Sequence, residues 1–142
     1  MVRESTFAFA AVSPHEGTLD SLILPEVNTE MMSLFWAEVS ARHAEEFIMM
    51  VMDQAGWHIA KRLTIPENMR LLWLPPYSPQ CNPVEHVWDE IREKWFSNKV
   101  FESLDAVEHT LLEALGTLEN DQKRMLGLTG FDWIISIPLN AT

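Results

Sequence analysis

Cysteine occurs once in the 142 residues, at Cys81, so no disulfide can form within the chain, and with no paired histidines at helical intervals a structural zinc site has no ligand set. Long apolar runs are missing as well. The longest is strand-sized, which excludes a membrane-spanning helix and a signal-peptide core and points, with the lone thiol, to a reducing cytoplasm. Glycine is scarce, with five in all, and there is neither a phosphate-cradling glycine-rich loop nor a Gly-x-Ser-x-Gly nucleophile turn. Basic residues are few: 10 Lys and Arg stand against 21 acids, a formal charge of −11. That balance is unfavourable for a module that must hold a polyanion by itself, though not for a catalytic domain whose acids bind metal while another domain supplies the basic surface. No repeat, low-complexity tract or linker interrupts the chain, and 47% hydrophobic residues are enough for the core of one domain over residues 1–142.

What is present reads as α/β. Phe7 to Val12 is apolar, Ser13-Pro14-His15-Glu16-Gly17 has turn chemistry, and Thr18 to Leu24 resumes with partial alternation, which predicts a β-hairpin. Asn28 or Thr29 can cap a helix whose apolar residues Met31, Met32, Leu34, Phe35, Ala37 and Val39 carry it to about Ala44. Phe47 to Met52 is continuously apolar, as expected of an interior strand covered on both faces, and Met69 to Leu74 reads as a second buried strand. A short helix over His58 to Leu63 between them makes a strand, helix, strand unit with a parallel crossover. Val84, Val87, Trp88, Ile91 and Trp95 recur at helical spacing to about Ser97, and Leu104, Val107, Leu111, Leu112 and Leu115 mark a further helix ending near Gly116. The stretch from Leu126 to Thr142, with Phe131, Trp133, Ile134, Ile135 and Ile137, is too apolar to lie free and is expected to pack back on the domain.

Two carboxylates stand where site chemistry is plausible. Asp53 closes the apolar run, at the strand end where open α/β sheets form their ligand crevice, and Glu85 opens a helix directly after the proline-dense string Leu74-Pro75-Pro76-Tyr77-Ser78-Pro79-Gln80-Cys81-Asn82-Pro83. Two such acids can converge on a divalent metal. Each also has a plainer explanation. Asp53 can hydrogen-bond its own turn with Gly56, and Asn82, Pro83 and Glu85 fit a capping box with Asn82 as the cap. The two uses are compatible, because a helix N-terminus holds a carboxylate rigidly and its dipole favours negative charge. Asp89, one turn beyond Glu85, reads as a solvated surface acid or a substitute ligand; His58 and His86 could assist a metal or contact phosphate. Trp88, like Trp36, Trp73, Trp95 and Trp133, reads as core rather than as a stacking platform.

The string from Leu74 to Trp88 resembles the DDE transposases of the mariner-related bacterial insertion sequences, and two further stretches resemble that family in the same order: Val51 to His58, and Leu128 to Ile134. The resemblance implies an RNase H-like (ribonuclease H-like) fold, a mixed five-stranded sheet with flanking helices. In that fold Asp53 is the second and Glu85 the third of three metal-binding catalytic acids, holding Mg²⁺ or Mn²⁺ for cleavage and strand transfer of DNA at transposon ends. No residue here matches the family's first aspartate or its first strand. Glu4 and Asp20 do not take that place, Gln54 stands where asparagine is usual, and Cys81 replaces an apolar residue. An RNase H-like sheet lacking its first strand is therefore expected, with an unfilled centre and unpaired edges.

Three functions follow as expectations. The first is the C-terminal part of a DDE transposase, inactive alone and completed by an upstream transposase fragment. The second is a non-catalytic RNase H-like remnant acting as a protein-interaction or dimerisation module, with a homo-oligomer as its signature. The third is a nuclease working with Asp53, Glu85 and either Asp89 or a histidine. DNA is the expected partner of the catalytic readings, and no membrane is expected in any.

Overall fold

The computed structural model describes residues 7–52, 63–73 and 82–130. The expected hairpin is present: β1 (Phe7–Ser13) and β2 (Thr18–Leu24) pair antiparallel in the register Phe7 to Leu24 through Ser13 to Thr18. Its turn closes on the Ser13 carbonyl, which accepts from Gly17 N at 2.8 Å, and Gly17 lies at φ +69°, a conformation that carries little penalty only without a Cβ. Helix α1 (Thr29–Arg42) starts where Asn28 accepts from Met31 N at 2.8 Å. It ends two residues short of the expected Ala44, at a turn braced by Asn68, whose side-chain amide donates to the carbonyls of His43 and Glu46.

Strands β3 (Ile48–Met52) and β4 (Met69–Trp73) pair in parallel from Ile48 with Met69 to Met52 with Trp73, as the crossover reading requires. The short helix expected over His58 to Leu63 falls almost wholly outside the described residues. Helix α2 (Val84–Ile91) continues into one π-helical turn, Arg92–Phe96, so the amphipathic stretch runs nearly as far as expected but widens at its end. Helix α3 (Leu104–Glu119) is capped by Ser103, which accepts from Ala106 N, and runs three residues past Gly116. Glycine there slows a helix without stopping it, because Leu115 and Leu118 on either side of it are buried and hold it in place. Helix α4 (Gln122–Thr129), capped by Asp121, was not expected; only its last residues, from Leu126, fall in the stretch read as apolar.

Each strand pair is a separate two-stranded sheet, and α1 is the element both share. Phe9, Leu22 and Leu24 of the hairpin and Ile48, Met50, Met69 and Leu71 of the parallel pair meet Met32, Phe35, Trp36 and Val39 in one cluster, with Phe9 and Phe35 rings 5.8 Å apart. The opposite hairpin face, Ala8, Ala10, Val12, Leu19 and Ile23, packs on Val87 and Ile91 of α2, Ala114, Leu115 and Leu118 of α3, and Met125 of α4. The hairpin is thus covered on both faces.

Among the described residues the parallel pair is not, which departs from the expectation of an interior strand. Alternation puts Met50 and Met69 in the core but leaves Met49, Val51 and Leu72 on a face where each is 40% or more exposed. Among the described residues β3 has one strand partner, β4, so it is an edge of its sheet. The architecture is α/β, with four described strands in two two-stranded sheets.

Candidate functional site

Parallel pairing brings the C-terminal ends of β3 and β4 together at Met52 and Trp73. Asp53 is the next residue after β3, and the string leading to Glu85 is the next segment after β4. Both segments therefore leave from one end of one sheet, the end at which α/β folds gather ligand-binding groups. Asp53, Trp57, His58 and Cys81 lie outside the described residues, as does the string 74–81.

Glu85 is described, and it is half-buried in the first turn of α2. Its helix begins differently from the capping box expected. Pro83 itself is in the helical conformation at the cap, and Asn82 Oδ1 accepts from Val84 N at 3.1 Å, an Asx-type turn two residues long. Glu85 N donates to the Asn82 carbonyl at 3.2 Å. Asn82 with Pro83 thus starts the helix, and the Glu85 carboxylate is not what the cap is built on. The rigidity of this end comes from the other side of α2, where Val87 and Ile91 are buried against the hairpin and α4.

One turn on, Asp89 projects to solvent with its side chain about two-thirds exposed and is ion-paired with Arg92. That is the solvated-surface role, so Asp89 is not brought into a site with Glu85 here. His86 is exposed. Trp88 is half-buried and, with Ala8, Ile91, Arg92, Phe96 and Leu111, lines an open cleft of about 380 Å³. Trp95 is half-buried beneath the Arg124 guanidinium, 5.2 Å from its ring centroid. Trp36 is fully buried in the α1 cluster, whereas Trp133 lies outside the described residues. Among the described residues, no three His, Cys, Asp or Glu side chains are grouped as metal ligands.

A constellation the sequence reading missed lies at the C-terminal end of α1. His43 Nε2 is 2.6 Å from Asp20 Oδ2 on β2 and its Nδ1 3.4 Å from Glu46, while Arg42 Nη1 reaches Asp20 at 3.5 Å. Burial lowers the His43 pKa, but the hydrogen bond and charge of Asp20, then those of Glu46, outweigh it and raise the pKa above the ordinary histidine value. Asp20 is thereby a structural anchor. The available signal was the adjacent Arg42 and His43 at a helix C-terminus, where cations meet the dipole and the last free carbonyls.

Residues 2–108 match the family described as DDE superfamily endonuclease. The chain belongs to that family. The match spans both strand pairs, α1, Asp53, Glu85 and α2. A relative from Sinorhizobium fredii, carried under the name Uncharacterized protein y4pE/y4sA, is 34% identical over 129 residues, covering 89% of this chain and 95% of the relative. No solved structure matches the chain. A DDE endonuclease family member is an α/β protein related to transposases that act on DNA with divalent metals, and no helix among the described residues is long and apolar enough to cross a membrane.

Proposed function

We propose that this chain is the C-terminal part of the catalytic domain of a mariner-related DDE transposase, with Asp53 and Glu85 as two of its three metal-binding acids. In this reading the two sheets are parts of one RNase H-like sheet whose remaining strand, with the first aspartate, comes from a second polypeptide encoded upstream. The observation that carries the reading is the parallel register of β3 with β4, which sends the segments bearing Asp53 and Glu85 out from the same sheet end. Family membership supports the chemistry.

Hard carboxylate oxygens are the donors that Mg²⁺ and Mn²⁺ prefer, so Asp53 and Glu85 fit such ions as ligands. The ions would supply an activated water or DNA 3′-hydroxyl and stabilisation of the leaving oxygen. The contribution of this chain is positional: α2, anchored by Val87 and Ile91, fixes where the Glu85 carboxylate stands. With 21 acids, the chain relies on its partner for most of the contact with DNA phosphates.

The test is to co-express the chain with the polypeptide encoded immediately upstream and assay Mg²⁺-dependent nicking of DNA carrying the element ends. Nicking that needs both polypeptides and disappears with Asp53→Ala or Glu85→Gln is the expected result. Activity no greater than that of either polypeptide alone, unaffected by both substitutions, overturns the assignment.

A second reading has its own observation. Two separate two-stranded sheets among the described residues, one with Met49, Val51 and Leu72 exposed, also suit a non-catalytic module that associates through its strands. Metal-independent dimerisation with no Mn²⁺ uptake by calorimetry is the outcome that selects it.

A further inference from the structure

Helix α2 is held by two buried side chains, Val87 and Ile91, and its first turn carries Glu85. At about 100° per residue those anchors lie about 40° apart around the helix, and Glu85 lies about 160° from Val87, nearly opposite the buried stripe. A stripe that narrow fixes the line of the helix axis more firmly than the roll about it. Roll matters on the far side, where a carboxylate about 6 Å from the axis travels about 1 Å in a roll of about 10°. A metal ligand displaced that far loses its geometry.

A side chain outside α2 grips the helix off this stripe. Glu90, about 60° beyond Val87 on the helix surface, is paired with Arg124 of α4: Arg124 Nε donates to Glu90 Oε2 at 2.8 Å, and Nη2 lies 2.8 Å from the same oxygen. The same guanidinium stands 5.2 Å from the ring centroid of Trp95, in the π-helical turn that continues α2, so one group holds the helix at two points. The Glu90 side chain is 15% exposed, against 67% for Asp89 in its pair with Arg92, and a planar fork laid on a ring gives up less freedom in pairing than a free chain does. Arg124 is itself fixed: its backbone N–H donates to Asp121 Oδ1 at 3.1 Å, and the next residue, Met125, is fully buried. Trp88, on the other edge of α2, borders an open cleft, so the firm lateral hold comes from the Glu90 side. Helix α4 lies beyond residues 2–108, so the family match assigns Arg124 no role.

We propose that Arg124 is a positioning residue which, through Glu90 and Trp95, sets the roll of α2 and with it the place of the Glu85 carboxylate. This rests on the assignment of Glu85 as a metal ligand. Removing Arg124 separates position from bare charge, because the two predict opposite signs. Loss of a cation from a chain of formal charge −11 makes it more attractive to Mn²⁺, whereas release of α2 makes its ligand less well placed.

The experiment is titration of Mn²⁺ into the full chain, followed by paramagnetic broadening, for the wild type, Glu85→Gln, Arg124→Met, Arg124→Lys and Ser103→Ala. Glu85→Gln should weaken binding by about tenfold or more. Arg124→Met should weaken it by about threefold or more, and Arg124→Lys, which keeps the charge without the fork and the stack, by about twofold or more. Ser103→Ala removes the cap of α3 and lowers stability without touching the Arg124 contacts, and should bind Mn²⁺ as the wild type does. Unchanged Met32 and Met69 methyl signals show that the fold is retained, and Arg124→Lys carries the test if Arg124→Met does not fold. Arg124 variants that bind as tightly as the wild type, or more tightly, while Glu85→Gln binds weakly, overturn the positioning role and leave the catalytic reading standing. An equal loss in Ser103→Ala overturns it in favour of a general loosening of the fold. Affinity indifferent to Glu85→Gln overturns the catalytic reading, and the positioning role with it.

Discussion

His43 Nε2 stands 2.6 Å from Asp20 Oδ2, joining the residue that closes α1 to the middle of β2. Arg42 strengthens the same junction by donating to the Ser21 carbonyl at 3.2 Å, so the helix shared by both sheets is fastened to the hairpin by charge as well as by packing. The junction is pH-dependent. Because Asp20 and Glu46 raise the folded-state pKa of His43, its contribution is fully present below the unfolded value of about 6.5 and is lost as pH rises through the folded value. Urea midpoints of the wild type and His43→Ala should therefore differ most near pH 6 and converge toward pH 9. A constant gap across that range would mean the imidazole acts by packing alone.

Gly17 and Gly116 predict opposite signs for the same substitution. At Gly17 the backbone is at φ +69°, and a Cβ would meet Leu126 Cγ at 2.6 Å and the Gln122 carbonyl oxygen at 2.8 Å. Gly17→Ala should cost about 1–3 kcal/mol through the left-handed conformation and overpacking against α4. A Cβ at Gly116, inside α3, meets nothing within 4 Å, so Gly116→Ala should stabilise by about 0.5–1 kcal/mol. Denaturant midpoints at unchanged m-value check both.

Helix α3 offers a contrast between its buried and open sides. Leu118 is fully buried against the hairpin while Leu112, six residues earlier, is 54% exposed. Leu118→Ala should destabilise by about 2–5 kcal/mol and Leu112→Ala by no more than about 0.5 kcal/mol. Thermal melts of the two variants beside the wild type decide the matter, and equal losses would place the second hairpin face elsewhere.

Glu85 and Asp89 are separated by one helical turn, but the expected consequences of neutralising them are not alike. Glu85→Gln should weaken Mn²⁺ binding by about tenfold or more, as loss of a ligating carboxylate does, and Asp53→Asn should do the same. Asp89→Asn, removing an acid already paired with Arg92 in solvent, should leave the affinity within about twofold. Paramagnetic broadening by titrated Mn²⁺ measures all three, and a reversed order of Glu85 and Asp89 would move the site outward along α2.

The hairpin, the capped start of α1, the two parallel strands and the helix after Pro83 were legible in the sequence because each rests on local chemistry: turn residues, a cap, an apolar run, a 3.6-residue period. The families of residues around Asp53 and Glu85 were legible for the same reason, as contiguous strings. Gly116 misled because propensity is a weak local preference, and the burial of Leu115 and Leu118 overrides it. Phe47 to Met52 misled because an unbroken apolar run specifies a strand without saying whether anything covers its second face. Helix α4 escaped notice because it is short and only Met125 and Thr129 are fully buried, held by partners on other elements.

The sequence by itself determined which segments fold, where the two acids fall and which family they belong to, since those depend on residues close together in the chain. Only the tertiary structure decided that the strands form two separate pairs hung on one helix, that Asp20 and His43 lock that helix in place, and that Met49, Val51 and Leu72 face outward. These are relations between residues far apart in the chain, set by which surfaces find partners when the core closes, and no local pattern encodes them.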